Sequence, residues 1–118
     1  METPVPIFVP ILLLIGAVAL VYSFVTFDRL VRAQYERHRE AWIEDGRPRG
    51  FFWRAPECTS FASSVALHRL TLTLLFSTPA WVADSTAYRT LLKRLRVSVL
   101  LWNAFIAGAL VAFLTRLT

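Results

Sequence analysis

The sequence predicts an all-α membrane protein: two transmembrane helices extended into the cytoplasm, plus one interfacial or re-entrant helix between them. Three observations carry this expectation. Thr3 to Phe27 and Val97 to Thr115 contain no charged residue, and each approaches or exceeds the roughly 20 apolar residues that cross about 30 Å of hydrocarbon. Twelve of the 13 Lys and Arg residues lie between those stretches. The one other long apolar segment, Ser60 to Ala83, carries His68 and Arg69 near its middle. The chain therefore divides into a tail and first span (1–27), a cytoplasmic helical region (28–96) with an interfacial helix at 60–83, and a second span with its tail (97–118).

The first helix starts between Pro6 and Pro10, because proline fits a first turn where its missing N–H has no intrahelical partner. From Ile11 onward only Gly16 weakens it, and Asp28 to Asp45 contains no Pro or Gly. Val31, Tyr35, His38 and Trp42 share one face there, so one continuous rod is expected as far as Gly46, a good C-terminal stop with Pro48 just beyond. Ala17 and Ala19 form a small-x-small pattern after an apolar run, but the preceding tail has Glu2 and no basic residue, so the segment is expected to be retained rather than cleaved as a signal peptide.

Gly46 to Glu57 reads as a turn with two Gly, two Pro and three Arg around an aromatic trio. Ser60 to Ala83 then reads as one helix lying at or dipping into the membrane surface, with Ser60, Ser64, Thr71 and Thr78 near its polar side. Crossing would place Arg69 at the bilayer centre at a cost of at least about 2.5–3.5 kcal/mol. Asp84, Ser85 and Thr86 form a capping cluster. Ala87 to Leu117 follows as one helix, amphipathic and basic at first, with Leu91, Leu92 and Leu95 against Arg89, Lys93, Arg94 and Arg96.

Composition fits this order. At 118 residues the chain is one unit, and its 56% apolar content exceeds the soluble norm of about 45–50%. Net charge is +5 and the pI about 10.4, but the basic residues flank apolar spans, so anionic lipid headgroups are the expected partner and nucleic acid is not. Twelve of the 13 cations are Arg, which suits phosphate and carboxylate contacts but also follows from genome base composition. A single cysteine, Cys58, allows no intramolecular disulfide and no cysteine-pair metal site. Four basic residues follow the first span and four precede the second, against none and one in the outer tails. The central region is therefore expected in the cytoplasm, with both termini outside a cytoplasmic (inner) membrane.

Each candidate site has a plain structural alternative. Trp42, Arg49, Phe51, Phe52, Trp53, Arg54 and Trp81 are expected as lipid or interface anchors, rings at headgroup depth beside guanidinium groups; the alternative is that the trio packs between helices. Gly16 in the first span, and Ala104, Gly108 and Ala112 in the second, form small-residue faces for close helix approach, against each other or against another protein. His68 and Arg69 are polar groups at membrane depth. With His38, His68 could hold a haem or quinone, although a satisfied interfacial histidine is the commoner case. Arg32, Glu36 and Arg39 fit a solvated face of surface ion pairs.

There is no phosphate-cradling glycine loop, HExxH or GxSxG, so no catalytic residue, metal or cofactor is assigned. The expected class is a small non-enzymatic membrane protein, an accessory or assembly subunit that contacts other membrane subunits or copies of itself. An anionic-lipid tether and a redox subunit are the alternatives.

Overall fold

The computed structural model describes residues 7–58 and 61–117, and all regular structure among them is helical. Helix α1 (Phe8–Arg37) and helix α5 (Thr86–Leu117) form a long antiparallel pair. Gly16 meets Phe105 and Ile106, Phe27 joins a cluster with Leu95, and the His38 ring packs 5.9 Å from Tyr88. Between the two run α2 (Arg39–Glu44), α3 (Phe61–Phe76) and α4 (Ala80–Ala83).

Both long helices are long and apolar enough to cross a membrane. In their most apolar stretches only 17% of α1 and 11% of α5 is buried, the reverse of what a soluble core helix shows. The core lies instead where charge begins, with Phe27, Leu30 and Val31 of α1, Leu92 and Leu95 of α5, and Leu67, Leu70 and Leu74 of α3.

Two expected helices are each broken in two. The rod predicted to reach Gly46 stops at Arg37, where His38 adopts φ −135° and ψ 54°. A straight helix would hold Trp42 about 16 Å beyond Val31. The break lets α2 fold back, so that Trp42 is 1% exposed in the same cluster as Val31, with its Nε1–H donating to the Pro48 carbonyl at 2.9 Å. Gly46, at φ 90°, ends α2 as expected.

The single helix expected over 60–83 is likewise divided, with Ser60 outside the described residues. Pro79 offers no N–H and disfavours helical geometry in the residue before it, so α3 closes at Phe76 and α4 restarts at Ala80. Arg96 stabilises the end of α3, donating to the carbonyls of Leu74 at 3.0 Å and Ser77 at 2.8 Å. The start of α5 is capped as its sequence implies, by Ser85 Oγ accepting from the Tyr88 amide at 3.3 Å.

Helix α3 also departs from the expected polarity. Its inner face (Ser63, Ala66, Leu67, Leu70, Leu74) is buried against the hairpin, while Phe61, Val65, Leu72 and Phe76 stand exposed on the opposite side with His68 among them. Ser64 and Thr71 are only half-buried flanks, and the Thr71 hydroxyl donates to the Leu67 carbonyl at 2.8 Å. The helix is apolar nearly all round, which suits burial on both faces.

Candidate functional site

The polar chemistry concentrates where α1 leaves its charge-free run, and Asp28 organises it. The Asp28 carboxylate accepts backbone N–H bonds from Phe51 (2.6 Å), Phe52 (2.8 Å) and Trp53 (3.0 Å). Successive amides converging in this way form an anion-holding nest, here filled by the chain's own side chain. Gly50 closes the turn by donating to the Trp53 carbonyl at 2.7 Å. It must be glycine, since a Cβ there would run into the Asp28 carboxylate. The sequence reading passed over Asp28. Its signal was its place as the first charge after the uncharged run from Thr3 to Phe27, but nothing in the sequence pairs it with a loop more than twenty residues away.

Pinned by Asp28, the aromatic trio separates into different roles. Phe51 stacks on Phe24 at 4.0 Å and meets Phe27 edge-on at 5.3 Å, and Trp53 packs 5.5 Å from Tyr35. Phe52 is 66% exposed and remains available to an outer phase. Arg49 is half-buried with its Nε–H bonded to the Gly50 carbonyl at 3.1 Å, whereas Arg54 is exposed. Trp42 and Trp81 are corrections to the expected anchoring: both are buried, Trp42 in the core described above and Trp81 against His38 and Tyr88. Neither ring can reach lipid from there.

A second polar group closes the α1–α2 corner. Buried Gln34 donates from Nε2 to Asp45 Oδ2 at 2.6 Å. Beside it the Arg39 guanidinium lies 3.7 Å from the Tyr35 ring centroid and 3.7 Å from Glu57, so its partner is Glu57 rather than the expected Glu36. The Arg32–Glu36 pair does form, at 2.9 Å. The Tyr35 hydroxyl donates to Glu57 at 3.0 Å. That bond to an acceptor carboxylate raises the phenol above its usual pKa of 10.0, with desolvation adding to the shift.

His68 and Arg69 are both exposed and sit on different sides of α3. His68 borders a hollow with Arg49, Gly50 and Phe51, and Arg69 borders one with Glu44 and Asp45. His38 packs between Trp81 and Tyr88 and does not line the hollow that His68 borders. Among the described residues no three His, Cys, Asp or Glu side chains gather in a metal-holding group.

The small residues also separate. Gly16 is buried, and a Cβ on it would stand 2.9 Å from Ile106 Cγ1, so it serves the chain's own hairpin. Ala104 and Gly108 are exposed and Ala112 is half-buried. Nothing lies within 4 Å of where a Gly108 Cβ would be, so Gly108 takes no part in the α1–α5 contact. Asn103, beside it, donates to its own helix at Val99, 2.8 Å away. No family model, curated protein or solved structure matches this chain.

Proposed function

We propose that the protein is a small, non-enzymatic integral membrane subunit that docks onto other membrane subunits, or onto further copies of itself, as an accessory or assembly component of a larger complex. In this reading α1 and α5 cross a cytoplasmic membrane as a hairpin, both termini lie outside, and α2, α3, α4 and the loops form a cytoplasmic platform. The antiparallel pairing supports it by bringing the basic ends of the two long helices, Arg29 to Arg39 and Arg89 to Arg96, to one side. The continuation of α1 into the core beyond Phe27 favours its retention as part of the folded chain.

The observation that carries the docking role is the exposure of Ala104 and Gly108, with half-buried Ala112 continuing the stripe one turn further. In lipid, close approach of small residues is a main source of helix association. The exposed apolar side of α3 adds a second surface, at the level where the spans end.

The test is solubilisation of the full chain in mild detergent, followed by identification of what co-purifies, with Gly108→Leu alongside. Reciprocal co-purification lost in Gly108→Leu, with unfolding unchanged, is expected. A strictly lone wild-type species would reject the docking role. Tags at Met1 and Thr118 detected on opposite faces of the membrane would reject the topology.

A further inference from the structure

We infer that the cleft between α1 and α5 is a binding slot for an anionic diacyl phospholipid, with Lys93 and Arg94 holding the phosphate and the apolar walls holding an acyl chain. The inference rests on the reading that these two helices cross a membrane. The slot is open along one side of the hairpin and has a volume of about 670 Å³, within the roughly 300–1,000 Å³ of small-molecule sites. One wall includes Ala19 and Tyr22 of α1, and the other includes Val97 and Leu101 of α5, so its length is apolar. No residue of α2, α3 or α4 lines it.

Charge complementarity at one end selects the occupant. Lys93 and Arg94 line the slot immediately before the charge-free run that begins at Val97, which places both cations at headgroup depth once α5 is inserted. Several other cations at this end of the hairpin are already engaged. Arg89 donates to the Ala83 carbonyl, Arg96 to Leu74 and Ser77, Arg32 pairs with Glu36 and Arg39 with Glu57. Among the described residues neither the Lys93 nor the Arg94 side chain has a carboxylate within salt-bridge distance. Two adjacent cations without an acid, at the mouth of an apolar slot that runs along the helices, match an anionic head on an acyl tail. A partner helix would fill the walls but would leave both charges unanswered.

The test is native mass spectrometry of the full chain in non-ionic detergent, challenged with equal phosphatidylglycerol and phosphatidylcholine. Phosphatidylglycerol should be retained preferentially. Lys93→Gln/Arg94→Gln should lower that retention on the order of tenfold, from two lost cation contacts. Arg37→Gln/Arg47→Gln, an equal loss of charge at exposed positions outside the slot, should leave it unchanged, and Ala19→Phe should lower it by filling the slot. Circular dichroism checks that each variant keeps its helix content. Equal retention of the two lipids, no effect of Lys93→Gln/Arg94→Gln, or an equal effect of the control pair would overturn the inference. So would a second copy of the chain occupying the slot in place of lipid. Release of the protein from membranes by alkaline carbonate would instead remove the spanning reading, independently of the lipid result.

Discussion

The same two helices behave differently in their two halves. From Phe8 to Tyr22, and from Val99 to Leu117, α1 and α5 bury only Val9, Gly16 and Ala109, and most of the remaining residues are apolar and exposed or half-buried. From Ser23 to Arg37, and from Thr86 to Ser98, they supply Phe27, Leu30, Val31, Leu92 and Leu95 to a core that α2, α3, α4 and the 50–58 loop complete. The difference is the one that the proposed hairpin, with one half in lipid and the other in water, requires. Lipid tails are as apolar as leucine, so a span gains little by hiding its side chains and associates through close packing. Water penalises the same side chains by about 25 cal/mol per Å². On the proposed membrane reading, the half outside the lipid must therefore build a core of its own, and Asp28 stands at the change-over.

Removing Asp28 is the strongest way to break this division. Asp28→Ala leaves three loop amides without their acceptor, each costing about 1–3 kcal/mol when not rehydrated. With the site 8% exposed, a total near 3 kcal/mol is expected, which lowers the midpoint of thermal unfolding in detergent by roughly 10 °C. Hydrogen exchange should quicken across α2, the loop and α3 while α1 between Phe8 and Tyr22 stays protected. Gly50→Ala should have the same regional effect from the other side of the contact. Uniform loosening of both halves would mean that they are one cooperative unit.

Why Asp28 escaped the sequence reading, while the long helices did not, has a physical basis. Span length, the capping serine Ser85 and the stop at Gly46 are local signals, each written within a few residues. The two helix breaks are not. His38 lies in a stretch with good helical periodicity, and the chain bends there only because Trp42 gains a core and a carbonyl, at Pro48, by turning back. Pro79 was a visible breaker, but the apolar run on both sides of it disguised two helices as one. Sequence does not distinguish a buried from a lipid-facing position for Trp42 and Trp81, because an aromatic belt and an aromatic core have the same composition. The Asp28 nest joins positions 28 and 51–53, and pairings of that range are set by tertiary structure.

Within the open apolar half, Gly16 and Gly108 offer a sharper comparison between two residues of the same type. A Leu at position 16 must displace Ile106, whose Cγ1 stands 2.9 Å from the added Cβ, and overpacking of that kind costs about 1–3 kcal/mol. Gly16→Leu should therefore weaken the α1–α5 pair, read as a lower unfolding midpoint and loss of an engineered crosslink between the helices. Gly108→Leu meets open space and should leave unfolding within about 0.5 kcal/mol of wild type. Equal destabilisation by both would show that the hairpin closes on a different face of α5.

The smallest expected effect lies on the charged rim, where Tyr35 donates to Glu57 beneath Arg39. Because folding raises the Tyr35 pKa above 10.0, the native state favours the protonated phenol. The resulting stability is fully present below the unfolded pKa and is lost as pH rises through the folded one. Wild type should then hold a constant advantage over Tyr35→Phe between about pH 7 and 9, and that advantage should shrink in the alkaline range above the usual tyrosine pKa of about 10. Thermal unfolding of the two proteins across that range reads it directly. The exposed setting keeps the difference small, and its direction is the informative part. An advantage that grew with pH would mean that Arg39 is stabilising a phenolate, and that the rim is held by charge attraction rather than by the hydrogen bond to Glu57.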